Sequence, residues 1–221
     1  MQLIGIIIRT LIKWDVWYLL PGKDLMKMEE FDLPAFFRDI LKLPDEALIQ
    51  RAQEIAEVRK IKKGEMVIRE GDKIQDVLFL IDGIFRGYFF GANGKEITDC
   101  FVSEVGFTVM PSSDLTIAST LNLEAVVPSC VLAIPLREVT SRIWRYKSLQ
   151  KLYFRLMQKS FDNHRELKHA LYKYNATERY QWFCQTYPDL VEQVREKDIA
   201  SFLNMTPVTL SRIRRALHEE R

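Results

Sequence analysis

The residues best suited to chemistry lie near the C-terminus, from Glu196 to Leu217: EKDIASFLNMTPVTLSRIRRAL. Ile199, Phe202 and Leu203 share one face of a first short helix, and Ala200 is small enough for another helix to approach closely. Asn204 suits the left-handed conformation that ends a helix. Thr206 is a good N-cap, and Pro207 is favoured at the first helical position. In the second helix Leu210, Ile213 and Leu217 make the inward stripe, while Val208, Ser211, Arg212 and Arg215 cluster opposite. A helix N-terminus offers phosphates free N–H groups and partial positive charge, and Thr206 and Thr209 are placed to add hydroxyls. Arg212 is long enough to bridge both acceptors on a guanine edge, and the Val208 methyls match a thymine methyl. The same spacing also fits a plain helical subdomain with a solvated basic face.

Other chemistries find little support. Cys100, Cys130 and Cys184 lie far apart with no CxxC, which argues against a disulfide framework, a cysteine zinc site or a four-thiolate iron–sulfur centre. A reducing cytoplasm is the expected setting. His164, His169 and His218 fall in predicted helices, and residues 60–135 contain no histidine, which removes a cupin-type metalloenzyme. No P-loop, nucleophile elbow or paired-carboxylate motif is present, so neither an enzyme nor a cofactor is expected. The 221 residues carry 32 Lys+Arg against 30 Asp+Glu, so charge alone does not point to a nucleic acid. A modest excess of six basic over four acidic residues from 195 to 221 suffices if one face holds it.

The elements that must position this segment are legible in outline. Leu3 to Leu20 is apolar, but Arg9, Lys13 and Asp15 interrupt it, and no run approaches the ~20 residues of a membrane span. Residues 1–28 read as an extra packed segment or a misassigned start, with Met26 or Met28 as initiator. From Glu29 to Val58 the apolar positions Phe36, Phe37, Ile40, Leu41, Leu48, Ala52 and Ile55 recur at helical spacing, divided by Pro44-Asp45. Short β-rich runs follow: 66–68, 77–81, 84–90, 96–101, 120–127 and 131–134. Many short strands with turn signals predict an antiparallel sandwich or barrel, with hairpins at Asp82-Gly83 and Asn93-Gly94. Leu136 to Tyr174 has no Gly or Pro, and Leu149, Tyr153, Leu156, Ser160, Asn163 and Leu167 alternate at three and four. This predicts one long helix with an apolar seam, covered either by its own barrel or, the favoured reading, by a second copy.

Together these features resemble the Crp/Fnr family of bacterial transcription regulators, and LNMTPVTLSRIRR is similar to the form found in Bacteroidetes members. KKGEMVIREGD at Lys62 to Asp72, Gly83, Gly94 and the long helix extend the resemblance from Phe31 to the end. It implies an α+β fold with an N-terminal antiparallel jelly-roll barrel, a long central dimerisation helix and a C-terminal winged helix-turn-helix. The implied domains are a cyclic-nucleotide-binding-like effector domain over 29–135, the dimer helix over 136–174 and a DNA-binding domain over 175–221. The implied partners are double-stranded DNA with a near-palindromic operator, a second copy, RNA polymerase if the protein activates, and an unknown small-molecule effector, with no membrane.

The resemblance also supplies a departure. Positions that meet ribose and cyclic phosphate in cyclic-AMP-binding members read Ser103-Glu104 and Ser119-Thr120 here, so the usual arginine is Ser119. Burying a phosphate without a cation costs several kcal/mol, about what defeats binding, so cyclic AMP is not the expected effector. The competing reading is a ligand- or partner-binding barrel whose helical tail no longer touches DNA.

Overall fold

The computed structural model describes residues 31–219 apart from 112, 113 and 115. The segment expected over 1–28 lies outside the described residues. The chain divides into two units, 1–33 and 34–221, and all that follows concerns the second.

Among the described residues, seven antiparallel strands make two sheets. β1 (Glu57–Ile61), β7 (Ser129–Pro135) and β3 (Asp76–Asp82) form one, in the order β1-β7-β3. β2 (Met66–Ile68), β6 (Asn122–Ala125), β4 (Phe85–Phe90) and β5 (Glu96–Val102) form the other, in the order β2-β6-β4-β5. Period-two alternation builds the core between them. Leu78 and Leu80 of β3 with Val131 and Ala133 of β7 cluster with Phe85, Val102, Leu123 and Ala125 of the other sheet. Each large apolar side chain buried there contributes about 1.5–3 kcal/mol. Val77 and Phe79 sit on the other face of β3 and line a cavity shared with helices.

Three expectations need correction. The predicted helical region ran to Val58, but Glu57–Ile61 is β1, paired along its length with Ala133 to Ser129 of β7. Its five residues carry too little periodicity to be told from a helix end, and the pairing partner lies about seventy residues on. Asn93-Gly94 does close a hairpin between β4 and β5, whereas Asp82-Gly83 joins strands of different sheets. Gly83 has φ +104°, and a Cβ there would lie 2.2 Å from Ser129 Oγ, so the glycine serves a crossover beside a close neighbour. Ser129 Oγ in turn accepts the Ile84 N–H at 3.2 Å and donates to Val127 O at 2.8 Å.

The third correction concerns the long helix, which is two. α2 (Leu136–Ile143) ends at Trp144, Tyr146 is extended, and α3 (Lys147–Lys173) begins anew. α1 (Glu46–Ile55) lies before the strands, and Phe36–Ile40 forms a π-helical turn whose Phe36 and Phe37 are buried. The break carries no Gly or Pro; Gln150 Nε2 donates to the carbonyl of Trp144 at 3.1 Å and stabilises it.

Beyond α3 come α4 (Ala176–Thr186), α5 (Leu190–Gln193), α6 (Glu196–Phe202) and α7 (Pro207–Glu219). Asn175 opens α4 with a capping box: its Oδ1 accepts from Glu178 N, and Glu178 Oε2 accepts from Asn175 N. Among the described residues no strand follows β7, so the wing of a winged domain is not among them. Phe183, Leu190, Ile199, Ala200, Leu203 and Leu210 form the centre of this region, and Ile84 and Val126 from the barrel belong to the same cluster. Barrel and C-terminal helices therefore share a core.

Candidate nucleic-acid interface

α6, the turn and α7 follow the sequence reading closely. Asn204 has φ +50° in the turn, as its type allows. Thr206 Oγ1 accepts the N–H of Thr209 at 3.1 Å, and the two hydroxyls are 2.8 Å apart, so α7 is capped from within. Leu210 and Ile213 are buried against Ile199 and Leu203. That anchoring turns the opposite face outward: Thr206, Pro207, Ser211, Arg212 and Arg215 are exposed, Thr209 is half-buried, and Val208 is 61% exposed. Arg214 is tied to Glu196 of α6. Among the described residues neither Arg212 nor Arg215 makes an ion pair, so both guanidiniums remain available to an anionic or base-edge partner.

A polar junction holds this helix pair to the barrel, and sequence reasoning missed it. Arg86 of β4 is 1% exposed. Its Nε donates to Thr98 Oγ1 at 2.9 Å and its Nη1 to Glu96 at 2.8 Å and Glu124 at 3.0 Å. Asp198 of α6, also buried, lies 3.4 Å from the same nitrogen. Arg195 reaches Glu124 at 2.8 Å and Asp198 at 2.5 Å. The hydrogen bond from Arg86 holds the Glu96 carboxyl below its usual value. Arg86 Nη2 has no hydrogen-bond partner among the described residues, and the guanidinium stacks 4.4 Å above the Tyr88 ring. The direct pairing of Arg86 with Glu124 across β4 and β6 is a register that no local pattern announces.

None of the four residues expected at an effector pocket lines the cavity described below. Ser103 and Thr120 are exposed, and Glu104 is exposed and paired with Lys159 of α3. Ser119 is buried, but its hydroxyl is spent on Leu121, donating to the carbonyl at 2.6 Å and accepting the N–H at 3.2 Å. A cavity of about 490 Å³ lies elsewhere, between the β3–β7 face, α1, α2 and α3, lined by residues such as Leu48, Phe79, Phe101, Leu156 and Phe202.

Leu149, Tyr153, Leu156, Ser160 and Asn163 all line that cavity. The stripe assigned by sequence to a partner helix thus faces its own barrel. Amphipathic spacing says that a face is covered, not by what. At its edge His164 lies 3.4 Å from Asp99 of β5, and that hydrogen bond raises the imidazole to about 9 against the opposing cost of burial. Burial pushes the Cys100 thiol up to about 12, which makes it a packing residue. Among the described residues no group of three or more His, Cys, Asp or Glu side chains could hold a metal, and no helix is long and apolar enough to cross a membrane.

Solved structures share this arrangement of two sheets and C-terminal helices. FixK2 from Bradyrhizobium japonicum matches with a TM-score of 0.65 at 17% identity, over 75% of this chain and 86% of that one. A protein described as a crp/fnr-family transcriptional regulator from Eubacterium rectale matches with a TM-score of 0.68 at 16% identity, over 82% and 87%. CprK complexed with OCPA matches at 0.57 with 17% identity, over 80% and 86%. No protein-family model matches the sequence, and no curated protein does. At these identities the likeness is one of fold.

Proposed function

We propose that this chain is a homodimeric, cytoplasmic regulator of transcription that reads DNA in a sequence-specific manner, a binding protein and not an enzyme. The observation that carries the reading is α7: a capped helix, anchored by Leu210 and Ile213, whose outward face offers Val208, Ser211, Arg212 and Arg215, with neither of the last two arginines ion-paired among the described residues. Such a helix end fits the major groove, its N-terminal groups against phosphate and its side chains against base edges. Two copies related by a two-fold axis would read half-sites about 34 Å apart on a near-palindrome. An effector, if one acts, is small and largely apolar, because the cavity beside α3 is lined mostly by Leu, Phe, Ile and Val.

The test is to mix purified protein with sheared genomic DNA from its source, recover the bound fragments and sequence them. Enrichment of a shared inverted repeat is the expected result and names the target genes. Absence of enrichment that persists after cyclic AMP and then cell extract are added would overturn DNA reading and leave a barrel with a silent helical tail.

A further inference from the structure

We propose that Arg86 and Asp198 form an orienting lock between the barrel and the helix-turn-helix, fixing the angle at which α7 is presented. The apolar side of the junction packs Phe101 of β5 against Phe183 at 6.3 Å and Phe202 at 5.2 Å between ring centres. Apolar burial rewards contact but has no direction, so it tolerates sliding.

The polar side does have direction. Arg86 takes Thr98, Glu96 and Glu124 from its own sheet, and its remaining oxygen partner, Asp198, comes from α6. Asp198 is itself 2% exposed at its side chain and has only Arg86 and Arg195 as cationic partners among the described residues. A shift of α6 by one turn, about 5.4 Å, would carry Asp198 away from Arg86, whereas Phe101 would keep its contact with Phe183 of α4. Buried ion networks add little over apolar packing in net stability, and in some proteins they distinguish one register from its neighbours.

A second, independent contact acts in the same sense. β5 is the edge of its sheet, with backbone groups that would otherwise lack a strand partner. Ser201 of α6 closes that edge: its Oγ accepts the Thr98 N–H at 2.9 Å and donates to the Glu96 carbonyl at 3.2 Å. α7 follows α6 after a short turn and shares its core through Leu210 and Ile213, so the orientation of α6 becomes that of Arg212 and Arg215. The lock stands on geometry alone; its consequence for DNA rests on the reading above.

Asp198→Asn keeps the side-chain size and removes the charge. In the full chain, amide exchange is expected to rise about tenfold or more at Thr98 and along α6, with β3 and β7 unchanged, as for a local opening. On inverted repeats with varied spacers, wild type is expected to favour one spacing, and the variant to lose that preference while affinity for a single half-site stays within about twofold. Unchanged exchange, a rise spread evenly through β3, β7 and α6, or an intact spacing preference overturns the lock. Ser201→Ala removes the edge contacts without touching a buried charge. It is expected to raise exchange at the same amides by less, and it decides the matter should Asp198→Asn not fold. If wild type binds no DNA, the DNA-reading proposal fails and exchange alone decides the lock.

Discussion

Arg212 and Arg214 are neighbours on α7 with different fates. Arg214 is half-buried against Glu196, whereas Arg212 extends into solvent from the face that holds Val208. Arg212→Ala is therefore expected to cost about 1–3 kcal/mol of discrimination between operator and scrambled operator, read by competition binding, with base choice relaxed at one position per half-site. Equal discrimination in mutant and wild type would remove Arg212 from the reading set. His164 supplies a pH test. Its folded pKa of about 9 exceeds the ordinary 6.5, so the stability it contributes is complete below about pH 6.5 and is lost as pH rises through 9. Urea unfolding of wild type and His164→Gln should converge above that pH and differ most below 6.5, by a small amount because the pair is partly exposed. Gly83→Ala combines positive φ with a clash at Ser129, and a loss of about 1–3 kcal/mol or more is expected in the same assay.

α3 has two faces with different partners. At about 100° per residue, Leu149, Tyr153, Leu156, Ser160 and Asn163 fall on the side toward the cavity, and Phe154, Phe161 and Tyr172 fall within about 20° of one line on another side, Phe161 at the rim of the same cavity. Those three are 60%, 67% and 84% exposed. Aromatic rings at such spacing along a helix expose an apolar stripe that a second copy would cover. Replacing Phe154 and Phe161 together by Glu is expected to convert a dimer to a folded monomer, seen by sedimentation with an unchanged far-ultraviolet spectrum. A dimer that survives would place the two-fold contact on another surface. The capped start of α7 is a second feature at this scale: Thr206→Ala removes the acceptor for Thr209 N–H and should cost about 1 kcal/mol.

In the whole molecule, one cavity touches every part that would have to communicate. Val77 and Phe79 come from the barrel, Leu149 to Leu167 from α3, and Tyr187 and Phe202 from the C-terminal helices. An occupant would bear on the barrel and the C-terminal helices at once. Cyclic AMP does not suit the position that the sequence resemblance points to, where Ser119 is neutral and its hydroxyl is already engaged with Leu121. Titration calorimetry with cyclic AMP is expected to show no binding heat, and saturable binding would require a cation that Ser119 does not provide.

Local chemistry was enough for the helix-turn-helix. Asn204, Thr206, Pro207 and the stripe Leu210, Ile213 and Leu217 act within a few residues of one another, and each behaves as its type dictates. The same holds for the hairpin at Asn93-Gly94 and for most strands, whose alternation is a property of consecutive residues. Long-range pairing decided the rest. β1 is a strand because β7 accepts it, Gly83 is a crossover because β3 and β4 pair with different neighbours, and the half-buried seam of α3 lines a cavity against its own barrel. Arg86, an ordinary basic residue in the sequence, becomes a buried hub only when β4, β5, β6 and α6 converge on it. Spacing encodes which face of an element needs covering; the identity of the cover depends on chain closure over tens of residues, and that is fixed only in the folded molecule.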